Sequence, residues 1–334
     1  MMRTGWRCAL LSSLAAIALG GVVGSSCSAG AGNETDPGIG GSTTGSGATG
    51  TGGGLNIGGA GTGGAVPCVE DVDVVFVLDV SSSMLFVLNQ LRADIDGVVQ
   101  AATALGNGDP HFGLVAFVDN ALLDPTGALS GGLVHADAAS LQAAFQHYAD
   151  VYTAFNRNPA DGPTGPTEQN PICEENANDA LNIAATAFPW RVDASHVIIV
   201  ATDDTFLERP DNYGDRDGDG LTDKTDFPRE GDYPAQWTLA ETVDALRSRD
   251  VRVFAFTRLL PPGPFDITRC GTGRRLPWEA ISHGWSAPYA GQQAIPDATS
   301  GRNYDLDAVR NGSLSLAETI NEVVVESNCN PIPE

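Results

Sequence analysis

The sequence predicts an open, doubly wound α/β sheet with helices on both faces, on three observations. Apolar runs of strand length recur at Val72–Leu78, Phe112–Val118, Val197–Ala201 and Val251–Phe256, and such runs mark strands buried on both faces, as in a mostly parallel sheet. Segments with helical apolar spacing separate these runs, the alternation that builds α/β folds. Two long insertions, one rich in Asp and Gly at about 205–233 and one rich in Pro, Gly and aromatics at about 258–297, follow predicted strands, where open α/β sheets carry their ligand-binding loops.

The elements follow in order. After the first strand, Leu88, Leu91, Ile95, Val98, Ala102 and Leu105 recur at helical spacing. Phe112–Val118 is the second strand and Gly132–His135 a weak third; a helix then runs through Leu141, Phe145 and Tyr148. Asn156–Pro171 is a Pro/Gly/Asn loop, followed by a helix through Leu181, Ala184 and Phe188. Val197–Ala201 is the fourth strand. A helix over Ala235–Ser248 starts behind Pro234, a residue favoured in a first turn. Val251–Phe256 is the next strand, and the last helix opens on Ser315-Leu316-Ala317-Glu318, a capping box.

The folded region is expected over 68–334, preceded by two segments of different character. Residues 1–27 read as an export signal: Arg3 and Arg7 precede the apolar run Ala9–Ala18. The apolar stretch is too short for a transmembrane helix. Val22-Val23-Gly24-Ser25-Ser26-Cys27 resembles a bacterial lipobox, with Gly24 where Leu is usual, so Cys27 is the expected lipidation site and ordinary cleavage the alternative. Residues 28–67 are Gly, Ser, Thr and Ala with only Glu34 and Asp36 charged; such a segment cannot bury enough apolar surface to order itself and serves as a tether.

Composition narrows the functions. The 334 residues include 18 Lys+Arg and 42 Asp+Glu, a net charge of −24. That excess argues against nucleic acid, whose binding needs clustered cations, and against direct contact with anionic membrane surfaces. It suits a chain that holds divalent ions among its carboxylates. Cys68, Cys173, Cys270 and Cys329 remain after the signal and Cys27, and in an exported chain an even remainder points to two disulfides with three possible pairings. Cys68 and Cys329 bracket the folded region, giving Cys68–Cys329 and Cys173–Cys270 as the expected pairs.

The first strand ends in Asp79-Val80-Ser81-Ser82-Ser83, and the fourth in Thr202-Asp203-Asp204. A carboxylate and two hydroxyls at alternate positions, joined by a second carboxylate from another strand end, form a hard-oxygen set for Mg²⁺, Mn²⁺ or Ca²⁺. On these residues the chain resembles the von Willebrand factor type A family. DVVFVLDVSSSM at 73–84 is similar to its first strand and metal-ion-dependent adhesion motif, HVIIVATDD at 196–204 to its fourth strand, and ATSGRNYDL at 298–306 to the stretch before its last helix. The resemblance implies a six-stranded sheet, mostly parallel with one antiparallel edge, and a Mg²⁺-type site on top. Ser81 and Ser83 would bind the ion directly, Asp79 and Asp203 largely through water, and a partner's carboxylate would take the free position. The family's usual Thr, five residues before an Ala-Leu pair, is replaced: Ala180-Leu181 is that pair and Glu175 stands there. Glu175 is therefore either a fifth ligand or an acidic residue favouring a helix N-terminus, with Thr164 and Thr167 as alternative loop donors.

Residues 215–226 carry a second pattern. Asp215, Asp217 and Asp219 occupy positions 1, 3 and 5 of a twelve-residue Ca²⁺ loop, with Gly220 at the turn, Leu221 offering a carbonyl, and Asp223 and Asp226 at positions 9 and 12. It resembles the loops of dockerins and thrombospondin type 3 repeats. Trp278, Trp285 and Tyr289 form either a contact surface or loop packing. His111, His135, His147, His196 and His283 are scattered, and no Ser/His/Asp arrangement or nucleophile elbow is present.

The expected function is cation-dependent binding of a protein or other acidic ligand by an exported, tethered, non-enzymatic domain, lipid-anchored at the outer membrane or surface of a bacterial envelope. A closed, purely structural metal site and a metal-assisted hydrolase are the alternatives.

Overall fold

The computed structural model describes residues 71–105, 108–165, 175–204, 208–209, 235–259, 267–269, 275–277 and 282–329. The expectations for Cys27, the 28–67 tether, Cys68, Cys173, Cys270, Thr167, Trp278 and the 215–226 loop lie outside the described residues.

Strand β1 (Asp71–Asp79) occupies the centre of a six-stranded sheet. Its alternate residues serve two cores: Val74, Phe76 and Leu78 face one, Val75 and Val77 the other. Helix α1 (Leu85–Thr103) follows, then β2 (His111–Phe117) and β3 (Ala121–Leu123), α2 (Ala138–His147), α3 (Ala177–Ala187), β4 (Ala194–Ala201), α4 (Leu239–Arg247) and β5 (Val251–Thr257). A two-stranded hairpin of β6 (Ile267–Arg269) and β7 (Arg275–Pro277) is separate from the main sheet. The short α5 (Ile295–Ala298), β8 (Arg302–Asp305), α6 (Leu306–Arg310) and α7 (Leu316–Cys329) complete the chain. The order β3-β2-β1-β4-β5-β8 is parallel except at β3. This meets the expectation of an open α/β sheet with six strands, one antiparallel edge, and helices on both faces. Helices α1, α2 and α7 cover one face and α3 and α4 the other.

Two elements differ from expectation. The third strand is Ala121–Leu123, not Gly132–His135. A tight turn at Val118–Asn120 reverses the chain directly onto β2, while His135 only bridges Phe112 through one pair of backbone hydrogen bonds. Helix α4 begins at Leu239 and not Ala235, because the Thr238 side chain and Glu241 form a reciprocal capping box there. The N–H groups of Gln236 and Trp237 are instead taken by the Asp179 carboxylate. Of the two readings of Trp285 and Tyr289, the structure shows packing: Trp285 is 1 % exposed in the core on the α3/α4 side, with Tyr289 packed against that cluster.

Two polar anchors hold this frame. Asp73, the one charge inside the first apolar run, is fully buried and receives both the backbone N–H and the guanidinium of Arg191. Asp124, just past β3, accepts from Thr126, His135 Nε2 (3.0 Å) and Tyr148 Oη (3.1 Å). Cys329, closing α7, is disulfide-bonded, and no helix among the described residues is long and apolar enough to cross a membrane.

Two predictions follow from this packing. A Cβ added at Gly301 would lie 1.9 Å from the Val253 carbonyl oxygen, a backbone atom that cannot move without breaking the β5–β8 pairing. Gly301→Ala is expected to cost about 1–3 kcal/mol, the usual range for overpacking, read as a lower urea midpoint. Burial alone would raise the Asp124 carboxyl, but the bonds from His135 and Thr126 outweigh it and hold it below the ordinary carboxylate value. A depressed carboxylate stabilises the fold above its unfolded pKa, about 3.9, and that contribution is lost as pH falls through the folded value. Wild type therefore loses stability on acidification below about pH 4 more steeply than Asp124→Asn, measured by urea unfolding against pH.

Candidate metal centre

The sheet register creates the site. Asp79 pairs in register with Phe117 on one side, and Leu78 with Ala201 on the other. The carboxyl ends of β1, β2 and β4 are therefore level, and Asp79, Asp119 and Thr202-Asp203 leave the sheet at one rim. This is the crevice position for ligands in open α/β folds, with β1 flanked on both sides by parallel strands.

Past β1 the chain is extended at Ser81 and then turns through a short 3₁₀ segment, Ser82–Met84, closed by Met84 N–H donating to the Ser81 carbonyl. Met84 is fully buried and pins this turn into the core, which leaves Ser83 at the surface beside it. The Ser81 N–H and the Thr202 hydroxyl both donate to Asp79, at 2.8 and 2.9 Å. The Ser81 and Ser83 hydroxyls lie 3.0 Å apart, and Ser83 donates to Asp203 Oδ1 at 2.9 Å across 120 positions of sequence. Asp79, Ser81, Ser83 and Asp203 thus converge from two strand ends.

Glu175 joins them. It stands one residue before Asn176, the N-cap of α3, and is buried within the field of four carboxylates. Burial first, then Asp79, Asp119, Asp204 and Asp203 in turn, push its carboxyl well above the ordinary range. Asp79 is raised to about 7, by burial and then by Asp203, against the bonds from Ser81 and Thr202 that lower it. The neighbouring carboxylates make Asp79 and Glu175 harder to ionise, a repulsion that a divalent cation among them would relieve. Hydroxyl and carboxylate oxygens are the donors a hard cation such as Mg²⁺ takes. The donor set fits such an ion, with Ser81, Ser83, Asp79 and Asp203 as the residues that could hold it. Thr164, the alternative loop donor, lies exposed in a turn. Among the described residues no group of three or more His, Cys, Asp or Glu is arranged to hold a metal; two of the four converging groups here are hydroxyls.

Three contributors escaped the sequence analysis. Asp119 follows β2 as Asp79 follows β1, and its buried carboxylate accepts from Asn158 while Asn158 accepts from its N–H. Its position after a buried strand was the available signal. Thr202 holds Asp79. Arg310, at the end of α6, binds Asp203 Oδ2 at 3.0 Å; lying 107 positions away, it offered no local signal.

No family model matches the chain, and no curated protein matches it. Solved structures do. An aerotolerance-related membrane protein from Bacteroides fragilis, carrying multiple mutations to serine, aligns at 17 % identity over 76 % of this chain and 99 % of its own, with a TM-score of 0.40. A von Willebrand factor type A structure from Catenulispora acidiphila aligns at 16 % identity over 77 % of this chain and 43 % of its own, with a TM-score of 0.38. Proximal thread matrix protein 1 from the mussel byssus, with a zinc-occupied metal-ion-dependent adhesion motif, aligns at 11 % identity over 78 % of this chain and 49 % of its own, with a TM-score of 0.39.

Proposed function

We propose that this chain is an exported, tethered von Willebrand A-type binding domain that holds a Mg²⁺-type ion at the strand ends and captures a protein or other acidic ligand through it. The observation that carries this reading is the Ser83–Asp203 hydrogen bond, with Ser81 and Asp79 beside it, which gathers hard-oxygen donors from β1 and β4 at one rim. Ser81 and Ser83 bind the ion directly, and Asp79 and Asp203 act through water. Mg²⁺ keeps exchangeable waters, so a ligand carboxylate can replace one. The domain acts by binding and not by catalysis.

Export is supported by the N-terminal signal pattern and by the disulfide at Cys329, since such bonds persist in oxidising compartments. Lipidation at Cys27 and the 28–67 tether would hold the domain off the outer membrane or at the cell surface. Residues 215–226 bind a second ion, Ca²⁺, in a structural role.

A second reading is favoured by one observation, the burial of Glu175 among the site carboxylates. If Glu175 ligates the ion, the site is internally closed and structural.

Four measurements test these readings. Calorimetry with Mg²⁺ or Mn²⁺ is expected to show one site weakened at least about tenfold by Ser83→Ala or Ser81→Ala, the usual scale for losing a ligand or its support; unchanged affinity refutes the site. Recovery of a ligand from native envelope is expected to fall with EDTA and with Ser81→Ala; equal recovery refutes metal-bridged binding. Glu175→Gln leaves metal affinity within a few fold in the open reading and weakens it in the closed one. For the loop, replacing Asp217 and Asp219 by Ala is expected to abolish Ca²⁺ binding at that site, with a lower melting temperature in Ca²⁺ for the variant than for wild type.

A further inference from the structure

Arg310 has no place in the metal-binding reading, yet its guanidinium is held at the edge of the site from three sides. Nη2 lies 3.0 Å from Asp203 Oδ2, and Nη1 lies 3.3 Å from Asp307 Oδ1 on its own helix. Its Cζ sits 4.5 Å from the centre of the Phe86 ring, at the start of α1 and three residues past Ser83. The two oxygens of Asp203 are thereby divided between two parts of the molecule: Oδ1 accepts from Ser83, and Oδ2 from Arg310. Asp307 is itself fastened by Arg258 Nε at 3.4 Å, so the arginine's anchor on α6 is fixed in turn.

We infer that Arg310 is a built-in counter-cation of the strand-end site, which competes with the bound metal for Asp203 and keeps the metal affinity low enough for exchange. The inference rests on the metal-binding reading above. A fixed positive charge paired to a water-mediated ligand has two opposing effects. It orients Asp203, which strengthens metal binding, and it neutralises that carboxylate and repels a divalent ion, which weakens it. Orientation is already supplied by the end of β4, by near-complete burial of Asp203, and by Ser83. Repulsion is supplied by Arg310, and the planar guanidinium stacked on Phe86 and forked between two carboxylates cannot easily swing away. The electrostatic effect therefore wins. Because the Arg310 side chain is 39 % exposed, solvent and salt moderate its size.

The test is calorimetric titration of the full chain with Mn²⁺ at low salt, in an Asp217→Ala/Asp219→Ala background that silences the calcium loop. Arg310→Gln is expected to bind Mn²⁺ about three- to tenfold more tightly than the parent, the scale of one partly screened charge near a divalent ion. Arg310→Met should agree with it, Arg310→Lys should stay near the parent, and the gain should shrink at high salt. Equal or weaker binding by both neutral variants, with native circular dichroism, overturns the inference. Ser83→Ala in the same background separates the two levels: if it leaves Mn²⁺ binding unchanged, the metal site itself is refuted, whereas if it weakens binding while the Arg310 variants do nothing, only the role of Arg310 falls.

Discussion

The level ends of three adjacent parallel strands are the constraint on which the site depends. Asp79 is in register with Phe117, and Leu78 with Ala201, so each strand delivers its next polar residues to the same rim. A shift of one residue between β1 and β4 would carry Asp203 to a different height and reverse which sheet face every apolar residue of β4 meets. The two cores forbid that shift. Val197 and Ile199 are committed to the α1/α2/α7 side, and Ile198 and Val200 to the α3/α4 side. The hydrophobic pattern that folds the sheet is therefore the same pattern that aligns these strand-end oxygens.

That alignment brings several acidic groups close together in a poorly solvated rim. Burial and mutual repulsion raise Asp79 to about 7 and Glu175 well above the usual range. Burying carboxylates in this way opposes folding unless protons or a cation compensate. The molecule offsets part of the cost with donors: the Ser81 N–H, the Thr202 and Ser83 hydroxyls, the Asn158 amide and the Arg310 guanidinium. Only the last carries charge. A cation bound at this rim would relieve the same electrostatic imbalance that opposes folding there.

The opposite rim and the sheet edge show how polar groups are buried elsewhere without such an imbalance. Asp73 is paired with Arg191, and Asp124 is surrounded by donors from Thr126, His135 and Tyr148. Arg191 also reaches Asp71 and Asp109, so the acidic groups around Asp73 share one guanidinium, and the bonds from His135 and Thr126 hold Asp124 low. The contrast sets the strand-end cluster apart from the structural polar contacts of the same domain.

Much of this was legible in the sequence because it rests on local regularities. Buried strands appear as apolar runs, helices as 3.6-residue periodicity, and strand-end oxygen donors as polar residues immediately after those runs, so the convergence of Asp79, Ser81, Ser83 and Asp203 could be expected before their geometry was known. The fragments that went astray lacked such a signal. Ala121–Leu123 is too short to show alternation and is set by a turn, and the start of α4 was decided by Thr238 and Glu241 rather than by the proline upstream. Tertiary structure alone decided that Glu175 lies among the carboxylates, that Trp285 faces inward, and that Arg310 reaches Asp203. Local pattern records what a residue's own element requires; the field and the partners at a rim depend on which distant elements packing brings beside it.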